Sequence, residues 1–305
     1  LSGDALKVGV VGLGVMGGGM AVALASGGGG REVNVFDVRP GAADALSPTA
    51  GSLKSCSSAR EVAEASDVVI TCVYSPSDAE AALLDPSVGV VAGLQPGAIC
   101  IDTTTNTLDV IGRIEQACQD KGARFLASPV TGRPPRMTMM IGGDRGAFDE
   151  AREVLSDIGT KLVFLGTAQA ACVAKHVNQY LTYASVLVAS EGLVAAAKAG
   201  VPLAELADVL EGGSGNSFML GFVLSEALEG REPPVVPAAL RLVAKDVRLA
   251  NETFSSMGFS SDVLGRINDS YASAEETIAG QPFPELLRKV AERYGVDPDA
   301  AFPKD

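Results

Sequence analysis

A single imidazole, His176, is all that 305 residues supply, and Trp is absent. A His-ligated metal site needs more imidazole than that, so no metal site is expected, and a His–Asp proton relay could draw only on His176. The five cysteines form no C-x-x-C pair. Their scatter argues against a zinc knuckle or a disulfide framework and for reduced thiols in a cytosol-like compartment. Tyr-x-x-x-Lys occurs nowhere, which removes tyrosine-based short-chain dehydrogenase chemistry. Positive charge is also in deficit: 24 Lys and Arg against 37 Asp and Glu leave a net −13. A field of that sign repels phosphate backbones, so nucleic acid is not an expected partner. Nor is a membrane. The most apolar stretch, Ala170–Val201, is interrupted by Lys175, Asn178, Glu191 and Lys198, too many polar groups for an unassisted span. Asp4 and an immediate strand-like run argue against a secretory leader. The expected location is cytoplasmic, or an organellar matrix if a segment was removed ahead of Leu1.

What is present is a chain 47% hydrophobic and 20% charged, long enough for two domains. Short apolar runs predict strands at Lys7–Val11, Val33–Phe36, Val68–Val73, Ala98–Ile101, Phe125–Leu126, Met137–Ile141 and Leu162–Leu165. Helical spacing lies between them, as at Leu108–Asp120 and Ala147–Leu155. Alternating β and α elements predict an α/β doubly wound sheet, mainly parallel and covered on both faces. After Thr167 the strand runs stop and long Ala/Leu/Val-rich segments follow, with turns expected at Gly200–Pro202 and Gly230–Pro237. An all-α domain over 167–305 is therefore expected after an α/β domain over 1–166. Thr167 is placed to cap its first helix. The run Gly27–Gly30 is read as a loop between the first helix and the second strand.

The first strand leads into Gly12-Leu13-Gly14-Val15-Met16-Gly17, a G-x-G-x-x-G. The motif alone is weak, but a strand precedes it, a helical pattern (Met16 to Ala25) follows, and Asp37 ends the second strand twenty positions after Gly17. Gly12 allows the sharp turn, Gly14 lets backbone approach a pyrophosphate, and Gly17 lets helix and strand pack closely. The helix N-terminus then faces the anion. Asp37 would accept hydrogen bonds from the adenosine ribose and repel a 2′-phosphate, which favours NAD over NADP. Arg39 pulls the other way, because a flexible guanidinium suits a 2′-phosphate.

Such a site needs a proton-transfer group, and with imidazole scarce, Lys, Asp and Glu remain. Lys175, Asn178, Thr182 and Ser185 share one helix face at offsets of 3, 7 and 10, with Gln179 bordering it. His176 leaves the helix about 100° away from Lys175. The stripe fits a wet cleft, and equally a solvated face with a lone Lys.

Several motifs in order resemble the β-hydroxyacid dehydrogenase family, which includes 3-hydroxyisobutyrate dehydrogenase and is related to 6-phosphogluconate dehydrogenase. Gly12–Ala21 (GLGVMGGGMA) resembles its opening, and Asp102-Thr103-Thr104-Thr105 its D-x-S-T segment, whose last Thr lies by the nicotinamide. Ser128-Pro129-Val130-Thr131-Gly132 is similar to its A-P-V-S-G substrate loop, Lys175-His176-Val177-Asn178 to its K-x-x-N-N helix start, and Lys245-Asp246-Val247 to its K-D-L. The resemblance implies a Rossmann domain, a helical C-terminal domain and a cleft between them. It makes Lys175 the catalytic residue and places Lys245 toward the cofactor. Thr131, Gly132, Asn178 and Gln179 are the expected substrate contacts. Beyond Gly12–Gly17, Asp37 and Lys245, the expected cofactor contacts are Val73, Tyr74 and Thr105.

The chain departs from the pattern around the substrate. Thr131 replaces Ser, Arg133 replaces a second Gly, the loop Arg133–Met137 (RPPRM) is short, and Gln179 stands in place of the second Asn. Gln169 and Ala171 replace glycines ahead of the Lys.

The expected reaction is hydride transfer between a small 3-hydroxy acid and nicotinamide, with Lys175 as general acid/base. A free Lys titrates near ~10.4, so base catalysis at neutral pH needs a depression of about three units. Arg133 or Arg136 could add a contact to the substrate carboxylate. Two alternatives stand beside this reading: a reductase of a small aldehyde or imine on the same fold, and a non-catalytic dinucleotide-binding protein. The apolar length of Ala170–Val201 and the resemblance also predict a homodimer or homotetramer.

Overall fold

Alternation along the central strands builds two cores, one on each face of a sheet. In the computed structural model, which describes residues 6–27, 30–228, 231, 239–281 and 285–302, the order begins β1 (Val8–Val11), α1 (Val15–Ser26), β2 (Glu32–Phe36), β3 (Ser52–Ser55) and α2 (Ala59–Glu64). Then come β4 (Val68–Thr71), α3 (Pro76–Leu84), α4 (Val90–Gly93), β5 (Ile99–Asp102), α5 (Leu108–Asp120) and β6 (Arg124–Ala127). The sheet is completed by β7 (Val130–Thr131), β8 (Met137–Gly143), α6 (Arg145–Ile158) and β9 (Gly159–Phe164). Val8, Val10, Val68, Ile70, Ile99 and Ile101 pack on one side, with Met20 and Leu24 of α1 and Phe148 of α6. The intervening Val11, Val69 and Cys100 pack on the other, with Val62 of α2, Leu83 of α3 and Ile114 of α5.

The strand order is β3-β2-β1-β4-β5-β6-β8-β7, with β9 paired to β8. From β3 to β6 every pairing is parallel; β6–β8 and β7–β8 are antiparallel, and β8–β9 is again parallel. This is the doubly wound, mainly parallel sheet expected, with its crossover point beside β1 and β4.

Several details differ from the expected strands: β7 falls where no strand is expected, and β9 covers Gly159–Phe164 instead of Leu162–Leu165. The strand expected over Val68–Val73 ends at Thr71, because the Val73 N–H turns away to Thr104 Oγ1 at 3.2 Å. β3 had no apolar signal at all. It is an edge strand whose side chains are mostly exposed, so nothing demands hydrophobic residues there. Of the Gly27–Gly30 loop, Gly28 and Gly29 lie outside the described residues. Gly27 caps α1 through its N–H on the Ala23 carbonyl, and Gly30 has φ +95°.

The chain then enters α7 (Ala168–Lys198), followed by α8 (Leu203–Gly212), α9 (Phe218–Ala227), α10 (Leu240–Ser256), α11 (Asp262–Ile278), α12 (Glu285–Arg293) and α13 (Pro298–Ala301). Thr167 caps α7: its Oγ1 accepts the Ala170 N–H at 3.1 Å. The turn at Gly200 is present, with φ +73°, while the one expected at Gly230–Pro237 lies outside the described residues except for Arg231. By compactness the chain divides within α7 into Leu1–Lys175 and His176–Asp305. The second unit has its own core, centred on Leu193, Phe222, Val243, Leu264 and Tyr271. At 31 residues α7 is long and apolar enough to cross a membrane, yet it carries Lys175, His176 and Gln179 as buried polar side chains.

Candidate active site

The turn after β1 is shaped as its glycines require. Gly12 has φ +91°, and a Cβ there would lie 2.2 Å from the Cys72 carbonyl oxygen. A Cβ on Gly17 would lie 2.0 Å from the Gly12 carbonyl oxygen. Both positions are closed to any side chain. A Cβ on Gly14, by contrast, meets nothing within 4 Å. Gly14 is also the N-cap of α1 and offers no side-chain cap to the first N–H groups of the helix. Those features fit a dinucleotide pyrophosphate held at a helix N-terminus. Val15 at the turn is exposed.

Asp37 reaches back to the same turn. Its Oδ2 accepts the Leu13 N–H at 2.7 Å and Arg39 Nη2 at 3.1 Å; its Oδ1 accepts the Arg39 N–H at 2.8 Å and Nε at 2.9 Å. Arg39 Nη2 also donates to the Leu13 carbonyl at 3.1 Å. Partial burial works to raise the Asp37 pKa, but the hydrogen bonds from Arg39 and the Leu13 N–H together hold it below the usual carboxylate range.

At the end of β5, Asp102 is fully buried and accepts the Thr104 N–H at 3.2 Å and Asn106 Nδ2 at 2.9 Å. Thr104 Oγ1 takes the Val73 N–H, so the loops after β4 and β5 are joined. Thr105 lies half-buried beyond this clamp, and Tyr74 is 47% exposed. Asn106 in turn accepts the Cys172 thiol on its carbonyl at 3.0 Å, tying the loop to the first turns of α7. Burial and the Asp102 charge push the Cys172 thiol up to about 12, so it is an inert anchor.

Burial also raises Asp102, to about 6, against its hydrogen bonds. The unfolded chain therefore releases this proton near pH 4 while the folded chain keeps it until about 6. Stability from this group is full below pH 4 and falls through that window, by about 3 kcal/mol at pH 7. Asp102→Asn should abolish the effect. Urea titrations at pH 4.5 and 7 should show wild type losing ground to the variant as pH rises; parallel curves would mean Asp102 titrates normally.

Lys175 ends the first unit, and it is 8% exposed. Its Nζ donates to the Val130 carbonyl at 2.9 Å. That carbonyl belongs to the segment carrying Thr131 and Gly132, where the backbone turns with φ +89° at Gly132. The structure thus brings Lys175 against the predicted substrate loop. Arg133 and Arg136 flank the turn, closed by the Arg136 N–H on the Arg133 carbonyl at 2.8 Å, and both are exposed.

The helical unit carries Asn178, Gln179 and Lys245. Asn178 Nδ2 donates to Gln179 Oε1 at 3.0 Å, and Gln179 Nε2 to Asp246 Oδ2 at 2.5 Å. Lys245 Nζ lies 2.9 Å from Asp246 Oδ1, an ion pair without hydrogen-bond alignment. Ser185 is spent on its own helix, donating to the Leu181 carbonyl at 2.7 Å. His176 is fully buried. Asn106, Asp246 and the Val130 carbonyl escaped the sequence reading. Asp246 had a signal, its place in the K-D-V motif; the carbonyl had none.

A family model described as the NAD binding domain of 6-phosphogluconate dehydrogenase matches residues 7–166. One described as NAD-binding of NADP-dependent 3-hydroxyisobutyrate dehydrogenase matches residues 169–287. L-Threonate dehydrogenase of Cupriavidus necator is 31% identical over 253 residues, covering 81% of this chain and 83% of its own. The chain belongs to the 3-hydroxyisobutyrate dehydrogenase-like family. Its fold agrees: a structure of Mycobacterium tuberculosis 3-hydroxyisobutyrate dehydrogenase with L-serine aligns with TM-score 0.83 at 25% identity, covering 94% of this chain and 99% of that one. The cytokine-like nuclear factor N-PAC of Gallus gallus is 27% identical over 88% of this chain, which spans about half (48%) of that relative's length. Membership makes the chain an NAD(P)-dependent oxidoreductase of the 3-hydroxyacid dehydrogenase class.

Proposed function

We propose that this protein interconverts a small 3-hydroxy acid, of the 3-hydroxyisobutyrate kind, and the corresponding carbonyl acid, with Lys175 as general acid/base. The observation that carries the reading is the buried Lys175 Nζ on the Val130 carbonyl, beside Thr131 and Gly132. That contact holds Nζ, as the neutral amine that oxidation needs, where a substrate bound on the Thr131 hydroxyl and neighbouring N–H groups would present its own hydroxyl. Nicotinamide, when bound, supplies the hydride acceptor. Lys175 takes the hydroxyl proton on Nζ in oxidation and returns it in reduction. Asn178, one turn on in α7, orients the substrate, and Arg133 or Arg136 adds charge toward its carboxylate. L-Threonate and L-serine, named with two of the similar proteins, both carry a carboxylate and a hydroxyl on the third carbon. A panel of 3-hydroxy acids, small aldehydes and cyclic imines, followed at the NADH absorbance, tests the reading. Turnover of aldehydes or imines alone would replace it, and NADH binding without any turnover would point to a non-catalytic protein.

The proposed cofactor is NAD(H), held by Gly12–Gly17 and Asp37, with Val73, Tyr74 and Thr105 near it and Lys245 from the helical unit. Arg39 offsets part of the Asp37 charge. The preference in kcat/KM over NADP(H) is therefore expected to be only roughly tenfold, about 1.4 kcal/mol. Asp37→Ala should narrow it and Arg39→Ala should widen it. An NADP preference lost in Arg39→Ala would show that Arg39 governs the pocket.

A homodimer or homotetramer is also proposed. Val177, Leu181 and Val188 are 41%, 60% and 64% exposed along one stripe of α7, an apolar face that self-association would cover. Light scattering that returned the mass of one 31.1 kDa chain would contradict it.

A further inference from the structure

Gln179 stands where the resembling motif has Asn, and both of its amide N–H groups are committed. Oε1 accepts from Asn178 Nδ2; of the two N–H groups on Nε2, one goes to Asp246 Oδ2 and the other to Tyr183 Oη at 3.3 Å. A primary amide has only two N–H donors, so none is left for a substrate. The side chain is 6% exposed. Its partners are themselves fixed. Asp246 is 5% exposed and paired with Lys245, and the Tyr183 carbonyl accepts the Tyr271 hydroxyl at 3.0 Å. An Asn at 179 would be one carbon shorter, about 1.5 Å, and would fall short of Asp246 on α10.

We infer that Gln179 is a positioning residue that locks Asn178 and Lys245 into one arrangement through Asp246, and is not itself a substrate contact. The inference rests on the proposed reading in which Asn178 serves the substrate and Lys245 the cofactor. The longer side chain bridges α7 to α10, so the residue that orients the substrate and the residue that approaches the cofactor move together. This revises the expectation that Gln179 touches substrate directly.

The test uses the full chain and two readouts, NADH binding by fluorescence titration and initial rates with the best substrate of the panel. Gln179→Met keeps the length and removes the hydrogen bonds. It should raise the Kd for NADH and the substrate KM each by roughly tenfold, as expected for lost hydrogen bonds to a charged group. Gln179→Asn, a milder change that should fold even if Gln179→Met does not, should lose most of the same affinity. In an Asp246→Asn background, Gln179→Met should cost less than about twofold more, because the link is already broken. An unchanged Kd for NADH with a raised substrate KM, and effects that add in the double variant, would overturn the inference and make Gln179 a substrate contact. A wild type that turned over no 3-hydroxy acid would sink the functional reading, while the NADH titrations would still decide the link to Lys245.

Discussion

Lys175→Ala is expected to lower kcat by about 10²–10⁴-fold, the usual worth of a positioned proton-transfer group. NADH affinity should change little, because the pyrophosphate cradle, Gly12–Gly17, is built from the turn between β1 and α1. Lys175→Arg should not restore activity, since a guanidinium stays protonated and cannot accept the proton. His176→Ala provides the contrast. That side chain is fully buried, so its loss should show in the melting temperature more than in kcat. The opposite ranking, with His176 essential and Lys175 dispensable, would refute the mechanism. Loss of NADH binding in Lys175→Ala would give the lysine a structural role instead.

The second large effect separates two glycines of one motif. Gly14→Ala adds a methyl where the protein has nothing within 4 Å, at an ordinary φ of −65°. Its melting temperature should match or slightly exceed wild type, because the unfolded chain loses freedom. Its NADH affinity should fall at least about tenfold, since the methyl occupies the space a pyrophosphate needs. Gly17→Ala places the methyl 2.0 Å from the Gly12 carbonyl oxygen, and should cost about 1–3 kcal/mol or more in folding stability. Calorimetry and NADH titration on both variants check this. If Gly14→Ala bound NADH normally, the cofactor would not lie against this turn.

The legible parts of this protein are those written in neighbouring residues. The continuous apolar runs of β1, β4 and β5 mark strands because both faces of the sheet bury their side chains. Helix α5 matched its expected span, Leu108–Asp120, since one apolar face and the Thr107 cap mark both its start and its course. The same locality hid β3 and β7. An exposed four-residue edge strand and a two-residue strand bury too little to leave a pattern.

The amino-acid sequence by itself determined the alternation of the apolar strands with helices, the glycine turn after β1 and the presence of a lysine at the start of a long helix. All three follow from backbone sterics and burial over a few residues. Tertiary structure alone decided what those residues touch. Asp37 could be read as a free acceptor until Arg39 was seen folded onto it. Lys175 could be a solvated side chain until its Nζ was found on a carbonyl 45 residues away. The residues around Gln179 in the sequence do not point to Asp246, 67 residues on, yet its Nε2 donates to that carboxylate. Such contacts close long loops, and their partners are chosen by packing of the whole unit, which no local spacing encodes.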